Sequence, residues 1–292
     1  FTEFYLKLIR KGKVKDIYEA TTNTLIFSFS NRVSAFDVIL EDEIPFKGKV
    51  LCDFALFWFE KLEFNNHFIR RVSPTMIEVK RLQVIPIECV VRSYLYGSLY
   101  SRYLKNNLDL DDLTHYFKNK DLPIASKLPQ LLFDPTTKSD EHDESITASR
   151  ILENKVITQD EFDFLKNSSL ELFRKIDSIV TKADFILADI KFEFGKNQVT
   201  NELLLADSIG PDEFRIWNKD DYRPGVMQES YDKQVLRDWL DKTGFKQHVE
   251  ECRKSKIIPN VPRLPTKLIS DISEKYINAY ERITGRRFEK SY

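Results

Sequence analysis

The chain has 292 residues, and 31% of them are charged, but 45 lysines and arginines are balanced by 46 aspartates and glutamates. The resulting formal net charge of -1 gives no overall attraction for nucleic acid or for an anionic membrane. With 42% hydrophobic and 13% aromatic residues, most of the chain is predicted to fold, either as one large domain or as two lobes.

Two further features of the sequence predict a soluble, cytoplasmic protein. No stretch approaches the roughly 18 uncharged apolar residues that a membrane-spanning helix needs, and the first 13 residues carry too many charges for a secretory signal. Cys52, Cys89 and Cys252 are odd in number and lie in apolar surroundings, which favours reduced thiols. Neither the cysteines nor the scattered histidines have the spacing of a metal site.

The first third of the chain predicts an antiparallel meander followed by a helix. Apolar residues alternate in three short runs, and residues 21–23 form a turn between the second and the third. Apolar residues from Val50 to Leu62 recur at helical spacing, so we expect a helix that follows residues 47–49 and packs on the meander. The predicted strands of this part run over 5–9, 14–18, 25–29, 76–80 and 84–92.

The amino-acid composition changes in the middle of the chain. Residues 105–150 contain prolines, several Asn and Asp residues and a dense charged run, which predicts an irregular loop region. Thr158 and Glu161 then have the spacing of a capping box. The apolar stripe that follows predicts a long helix over about 159–182.

The last predicted elements are two strands and two helices. The strands, over 185–194 and 199–207, are expected to be joined by a hairpin turn at 195–197. The helices are expected over 231–241 and 269–284.

These elements predict an α+β protein with two lobes that meet near residues 82–90. Residues 1–86 are expected to form an antiparallel N-terminal β lobe with a basic loop. Residues 87–292 are expected to form a larger α+β lobe that includes the C-terminal helices.

The strand over 185–194 carries the strongest candidate site. Strand side chains alternate between faces, so Asp189, Lys191 and Glu193 are expected in a row on one face, roughly 6 to 7 Å apart. A solvated face with paired charges is the alternative.

The surroundings of this row favour a cleft. Phe185 and Leu187 are expected to precede the charges on the same face. Asp207, at the end of the next strand, is expected to lie near Glu193. Two carboxylates of this kind suit Mg²⁺, which bridges to phosphate oxygens.

The N-terminal meander supplies the opposite charge. Arg10, Lys11, Lys13 and Lys15 surround Gly12, where a backbone without Cβ can approach a phosphate. A solvated basic hairpin tip is the alternative interpretation.

Each of the other charged residues has a structural and a functional interpretation. Glu88 and Arg92 share one face of an apolar strand, so they form either a buried ion pair or an arginine presented to a substrate anion. Asp37 either contacts a ligand or forms a local turn. Lys233 and Arg237 lie one helical turn apart, and with Arg215 they are either surface charges or substrate contacts. Together these groups are what phosphoryl transfer requires.

These residues resemble the SAICAR synthetase family, the phosphoribosylaminoimidazole-succinocarboxamide synthases, over nearly the whole chain. Two signature stretches carry the resemblance: IPIECVVR at 85–92, which runs on to Gly97 and Ser98, and DIKFEFG at 189–195. Supporting matches lie at 12–18, 34–37, 211–217, 231–238 and 275–285.

The resemblance implies a two-lobed architecture related to that of kinases and ATP-grasp enzymes. It also implies an ATP-dependent, Mg²⁺-requiring ligase of purine biosynthesis. In this reaction the carboxylate of carboxyaminoimidazole ribonucleotide is phosphorylated and then joined to the amine of L-aspartate. The partners implied are small molecules, with no nucleic acid and no membrane, and a homo-oligomer is neither required nor ruled out.

The resemblance further implies a role for each charged group. Catalysis is assigned to Lys191, Glu193 and Asp207, and the last two also bind Mg²⁺. ATP contacts are assigned to Lys11, Gly12, Lys13, Lys15, Glu193 and Asp207. Substrate contacts are assigned to Asp37, Arg92, Ser98, Lys138, His142, Asp212, Arg215, Lys233 and Arg237.

The sequence departs from the family pattern in three places. The loop over 137–144 is short and lacks a glycine, no acidic residue follows Asp207, and Glu213 and Phe214 replace a usual pair of serines. Two other functions remain as alternatives. They are a small-molecule kinase that uses the same groups, and a nucleotide-binding protein without catalytic activity.

Overall fold

The computed structural model describes residues 6–36, 38–106, 108, 114–117, 121–137, 146–155 and 157–291, and within them it confirms the α+β class. The strands are β1 (Lys7–Lys11), β2 (Lys15–Glu19), β3 (Thr24–Phe29), β4 (Arg32–Ala35), β5 (Val38–Glu43), β6 (Phe68–Ser73), β7 (Met76–Lys80), β8 (Gln83–Val84), β9 (Ile87–Leu95), β10 (Ser126–Phe133), β11 (Thr136–Thr137), β12 (Phe185–Lys196), β13 (Leu203–Ala206) and β14 (Phe214–Asn218). The helices are α1 (Lys47–Lys61), α2 (Gly97–Leu104), α3 (Thr114–Phe117), α4 (Ala148–Glu153), α5 (Gln159–Lys182), α6 (Gln234–Lys242), α7 (Phe245–Ser255) and α8 (Thr266–Thr284).

The chain divides into two compact units. The first contains Phe1–Lys61, His67–Arg81 and Ser230–Tyr292, and the second contains Leu62–Asn66 and Leu82–Glu229. The chain therefore enters the second unit first at Leu62, returns to the first unit at His67 and enters the second again at Leu82. The last 63 residues, however, belong to the first unit, whereas the sequence predicted them in the second lobe.

Contacts between α1 and α8 explain this difference. The rings of Phe54 and Tyr280 meet edge to face, with their centroids 5.2 Å apart, and the Ser273 hydroxyl donates to the Pro45 carbonyl at 2.7 Å. Tyr276 is buried in the same helix. The apolar face of α8 is thus covered by an element more than 200 residues earlier in the chain, a pairing that local sequence does not encode.

The first unit is built on a five-stranded antiparallel sheet with the order β1-β2-β3-β7-β6. The predicted meander is its first half. Strands β4 and β5 form a separate hairpin, and together with β6 and helix α7 they are elements that the sequence pattern missed. Helix α1 begins at Lys47, three residues earlier than predicted, and buries Val50, Phe54 and Trp58 completely.

The second unit is built on β9 and β12, which are the two central strands of a seven-stranded sheet. Strands β10 and β11 pair with β9, while β8, β13 and β14 pair with β12. In the pairing of β9 with β12, Arg92 lies opposite Asp189 and Val90 lies opposite Lys191. Opposed residues of an antiparallel pair share a face, so the charged residues of both strands meet on one side of this sheet.

A β-bulge in β12 decides where this charged face begins. The register of β12 on β14 shifts between Leu187 and Asp189, so Ala188 is an extra residue in the strand. Ala188 packs with Tyr94, which lies two residues after Arg92 in β9 and so shares its face. The expectation that Phe185 and Leu187 share a face with the charges is therefore wrong, because the bulge moves them to the opposite face.

Proline and glycine explain the other differences from the predicted strands. The region 105–150 contains β10, whose Pro129 falls where the register on β9 shifts and no ladder donor is needed. Pro86 lacks an N–H and separates β8 from β9. Gly195 lies inside β12 and not in a turn. A side chain does not fit at this position, because a Cβ there would stand 2.7 Å from the Leu82 Cβ.

Two expectations drawn from the composition can be compared with the structure. Cys52, Cys89 and Cys252 are free and buried, as expected, and burial raises the pKa of the Cys52 and Cys89 thiols to about 12. Within the described residues, no helix combines the length and the apolar character needed to cross a membrane.

Helix α5 starts and ends where the sequence predicts. The Thr158 hydroxyl accepts from the Glu161 backbone N–H at 3.2 Å, and the Glu161 carboxylate accepts from the Thr158 N–H at 2.9 Å. Both bonds satisfy N–H groups that have no partner within the helix. The apolar stripe of the helix, which includes Leu172, Phe173 and Ile176, is buried.

Replacing Thr158 by Ala should lower the free energy of unfolding by about 1 kcal/mol, because the helix loses its N-cap acceptor. The shift of the urea midpoint measures this loss. Asn167→Ala, at an exposed position within the same helix, is the matched control and should not destabilise. Equal losses in the two variants would show that the capping box contributes nothing.

Candidate active site

The structure places the predicted site residues in both units. Asp37, Lys138 and His142 lie outside the described residues. The first unit contains Lys11, Gly12, Lys13, Lys15, Lys233 and Arg237. The second unit contains Arg92, Ser98, Lys191, Glu193, Asp207, Asp212 and Arg215.

Lys191 lies beside Glu88 on the charged face of the second unit. Its ammonium donates to the Glu88 carboxylate at 3.2 Å, and the Thr136 hydroxyl donates to the other Glu88 oxygen at 3.4 Å. Burial opposes the lysine charge, but the carboxylates of Glu88, Glu213 and Glu193 outweigh it, so the pKa of this ammonium is raised above its ordinary value. Lys191 is therefore a cation at neutral pH, and 38% of its side chain is open to solvent.

Arg92 is held by groups on three sides. Its Nε donates to Asp134 Oδ2 at 2.6 Å, its Nη2 donates to Ser98 Oγ at 2.9 Å, and its Nη1 lies 3.7 Å from Asp189 Oδ2. Arg102 also donates to Asp134 Oδ2, at 2.5 Å. The buried ion pair of Glu88 with Arg92 that the sequence left open is therefore not formed, since Glu88 pairs with lysine and Arg92 with Asp134.

Burial of Arg92 and Asp134 is compensated by their neighbours. Desolvation disfavours both charges, but Asp134 and Asp189 outweigh it for Arg92, whose pKa is raised. The facing guanidiniums of Arg92 and Arg102 likewise lower the pKa of Asp134, which is only 2% exposed. Arg92 and Asp134 are consequently both ionised at neutral pH.

Arg215, on β14, is a further charged residue next to Asp189. Its Nη1 is 3.5 Å from Asp189 Oδ2, and its guanidinium carbon lies 4.8 Å from the centre of the Tyr96 ring. Within the described part of the chain, both Arg215 Nη1 and Asp189 Oδ2 are buried and form no hydrogen bond. Gly97, with φ at +58°, leaves room for this side chain, because a Cβ would stand 2.9 Å from Nη1.

We call these residues the arginine cluster: Arg92, Arg102, Arg215, Asp134 and Asp189. It contains three guanidiniums and two carboxylates, so it carries one excess positive charge. Guanidiniums bind phosphate and carboxylate through paired, charge-assisted hydrogen bonds. The cluster is therefore suited to an anionic ligand.

Two carboxylates lie at the other end of β12. Glu193 is opposite Ala206, so Asp207 directly follows the residue that faces it. Asp207 has φ at +60°, a left-handed conformation that is rare outside glycine and that persists where the surroundings impose it. Among the described residues, no group of three or more His, Cys, Asp and Glu side chains is arranged to hold a metal. This pair would need further ligands from phosphate or water.

In the first unit, the basic hairpin has a closely packed backbone. The Gly12 N–H donates to the Lys15 carbonyl at 3.0 Å, and a Cβ at Gly12 would stand 2.5 Å from that oxygen. Arg32 fixes the turn from outside by donating to the Gly12 carbonyl and to the Asp16 carboxylate. Lys15 lies 4.9 Å from the centre of the Phe27 ring.

Helix α6 brings the two predicted basic residues of the C-terminal region together. The Arg237 N–H donates to the Lys233 carbonyl at 3.0 Å, which places the two residues one turn apart as predicted. The Lys233 ammonium is 4.0 Å from the buried Asp232 carboxylate, and Arg237 lies 6.0 Å from the Phe36 ring centre.

Sequence reasoning missed two members of the arginine cluster, Asp134 and Arg102. A signal for the first was present, because a buried Arg92 requires a carboxylate and Asp134 directly follows an apolar run. No sequence pattern distinguishes Arg102, because basic residues are common in the last turn of a helix and Arg102 lies in the last turn of α2.

The fold and this site define an α+β protein with a charged sheet face that is suited to anionic ligands. Comparison with known proteins is more specific. The family model described as SAICAR synthetase matches residues 8–252. A phosphoribosylaminoimidazole-succinocarboxamide synthase of Nitrosopumilus maritimus is 43% identical over 96% of this chain and 99% of its own length. The chain therefore belongs to the SAICAR synthetase family.

Solved structures agree with this assignment. The SAICAR synthase of Saccharomyces cerevisiae, determined in complex with SAICAR, superposes with a TM-score of 0.84 at 30% identity and covers 99% of this chain and 98% of its own. A SAICAR synthetase in complex with ADP superposes with a TM-score of 0.69 at 26% identity, covering 96% of this chain and 99% of its own.

Gly97→Ala should destabilise the second unit more than Gly225→Ala. Both glycines have positive φ, so each variant should lose about 1 kcal/mol from backbone strain. Only the methyl group added at position 97 meets Arg215, which should add about 1 kcal/mol by forcing that side chain from its rotamer. Denaturant midpoints measure the difference, and equal midpoints would show that Arg215 is not held against Gly97.

Proposed function

We propose that this chain catalyses the ATP-dependent joining of 5-amino-1-(5-phospho-D-ribosyl)imidazole-4-carboxylate to L-aspartate, which forms SAICAR, ADP and phosphate. The observation that carries this proposal is the similarity to named synthases over nearly the whole chain. The solved relatives that bind SAICAR and ADP support the same small-molecule substrates. None of the relatives described above is named as a kinase.

The reaction takes two steps because a carboxylate is a poor electrophile. A carboxylate oxygen first attacks the γ-phosphorus of ATP, which forms an acyl phosphate and releases ADP. The aspartate amine then attacks the acyl carbon. The new C–N bond forms, the amine loses a proton, and the C–O bond to phosphate breaks as phosphate leaves.

Lys191 is the group that stabilises phosphoryl transfer in this proposal. Its ammonium is fixed by Glu88 and partly open to solvent, so it can face the transferred group without moving. Phosphoryl transfer depends on such fixed charges, because the protein contributes positioning and electrostatic stabilisation. The three carboxylates that raise its pKa keep it protonated throughout.

The arginine cluster holds the ribonucleotide. Arg92 and Arg215, with the Ser98 hydroxyl, contact its 5′-phosphate and carboxylate. The excess positive charge of the cluster supports this role, as does Arg215 Nη1, which is buried and forms no hydrogen bond with any residue that the structure describes. A bound anion would supply the missing acceptor.

Glu193 and Asp207 are the proposed Mg²⁺ ligands. Neighbouring carboxylates provide the oxygen donors that Mg²⁺ prefers, and its other ligands come from phosphates and water. When bound, Mg²⁺ neutralises negative charge on the phosphates of ATP.

The first unit supplies the remaining ATP contacts in this proposal. Lys11, Lys13 and Lys15 neutralise the phosphates, and the backbone at Gly12 approaches them. The other proposed substrate contacts are Asp37, Lys138, His142, Asp212, Lys233 and Arg237. We further propose a cytoplasmic enzyme without a nucleic-acid or membrane partner.

Omitting one substrate at a time tests the reaction. ADP should form steadily only when ATP, Mg²⁺, the carboxylated ribonucleotide and L-aspartate are all present. Continued turnover without aspartate would instead indicate a small-molecule kinase, and no turnover with the complete mixture would contradict the proposal.

Lys191→Met should lower kcat by about 100-fold or more, because one fixed charge is lost from the transition state. Circular dichroism should show that the variant keeps its fold, whereas the thermal midpoint should fall because the buried Glu88 loses its ion-pair partner. Lys196→Met, which removes a half-exposed lysine from the same strand, is the matched control and should keep most of the activity. A Lys191→Met enzyme with nearly full kcat would remove this residue from the mechanism.

A further inference from the structure

We infer that Asp134 and Arg102 are positioning residues that orient Arg92 for the ribonucleotide and keep its surroundings positively charged. This inference rests on the proposed function and extends it to two residues outside both signature stretches. Neither residue needs to touch the substrate.

Arg92 is held in one orientation before a substrate binds. A free arginine side chain has many rotamers, and ordering it costs about 2 kcal/mol. The bond from Arg92 Nε to Asp134 and the bond from Nη2 to Ser98 remove this freedom before the substrate arrives. The remaining nitrogen, Nη1, lies 3.7 Å from Asp189 Oδ2. It forms no hydrogen bond with the described part of the chain, so it can still donate one to an anion.

Asp134 is itself held in place at both its backbone and its side chain. Its N–H donates to the Val90 carbonyl on β9 at 2.8 Å, and its Oδ2 accepts from Arg92 and Arg102. The side chains of Arg92 and Asp134 therefore keep one position relative to β9. Preorganisation of this kind avoids the entropy loss that binding would otherwise incur.

Arg102 keeps the surroundings of Arg92 positively charged. A carboxylate paired with Arg92 alone would neutralise it and weaken its attraction for an anion. Arg102 shares the same carboxylate oxygen, so the triad of Arg92, Arg102 and Asp134 has a net charge of +1. Because the triad is largely buried, this charge is weakly screened and acts on a nearby ligand.

The segment that contains Asp134 also contacts Glu88, the ion-pair partner of Lys191. Asp134 is followed by β11, where Thr136 lies opposite Glu88 and bonds its carboxylate. Glu88 in turn bonds Lys191. Residues 134–136 thus position both Arg92 and Lys191.

Asp134→Asn tests the orientation. An amide makes weaker, uncharged bonds to the guanidiniums, so we expect KM for the ribonucleotide to rise about tenfold, while KM for ATP and for aspartate stay within about twofold. Asp177→Asn, which removes a half-buried carboxylate of α5 outside the cluster, should change none of the three. A parallel rise of all three KM values would overturn the inference, because it would indicate a merely structural role.

A double-variant cycle tests whether Asp134 acts through Arg92. Arg92→Lys should raise KM for the ribonucleotide by itself, and adding Asp134→Asn should then raise it by less than about twofold. Multiplication of the two effects would show that Asp134 does not work through Arg92.

Arg102 provides a second test that does not depend on the folding of the Asp134 variant, since its side chain is 17% exposed. Arg102→Met should weaken ribonucleotide binding about threefold by removing one charge. Arg102→Lys should restore most of the affinity, because it keeps the charge. Equal affinity in the wild type and in Arg102→Met would refute the electrostatic part.

The wild-type enzyme separates failure of this inference from failure of the proposed function. Turnover by the wild type with unchanged ribonucleotide KM in Asp134→Asn would overturn the inference alone. Absence of wild-type turnover with all substrates present would overturn both.

Discussion

The antiparallel pairing of β9 with β12 is the constraint on which the whole charged face depends. Opposed residues of the two strands share a face, so one register places Arg92 beside Asp189 and Lys191 beside Val90. A slip of one residue would turn the charges of β12 into the apolar layer against α5 and bring Ile190 and Phe192 to the face of Arg92. Burial of those apolar side chains therefore holds the register, and the register in turn holds the chemistry.

Charge balance is the second requirement of this face. Buried ions are tolerated only when they are paired and hydrogen-bonded, because desolvation costs several kcal/mol for each ion. Here Lys191 has Glu88 as its carboxylate neighbour, and Arg92 has Asp134. The pairing stops one negative charge short of neutrality in the arginine cluster, which leaves its surroundings suited to a phosphate. Near neutrality of the whole chain thus conceals a local excess of positive charge.

Local backbone features determine where this face begins and how closely its groups approach. The bulge at Ala188 moves Phe185 and Leu187 away from the charges, so that the aromatic cluster of Tyr94 and Trp217 borders them instead. Gly97 gives space to the Arg215 guanidinium, which would otherwise meet a methyl group. Sequence periodicity misses such features, because a single extra residue in a strand does not change the composition of the segment.

The sequence by itself determined the helix α5 with its capping box, the N-terminal meander, the charged residues of β12 and, through two signature stretches, the family. These depend on local periodicity, on spacing and on residue type, which neighbouring residues carry. Only the tertiary structure decided which charges are paired: it joined Arg92 to Asp134 and Arg102, and Glu88 to Lys191, and it placed α8 against α1. Such partners are brought together by chain packing across 42 and 103 residues for the pairs of Arg92 with Asp134 and of Glu88 with Lys191, and no local pattern records which distant residue will complete a buried ion pair.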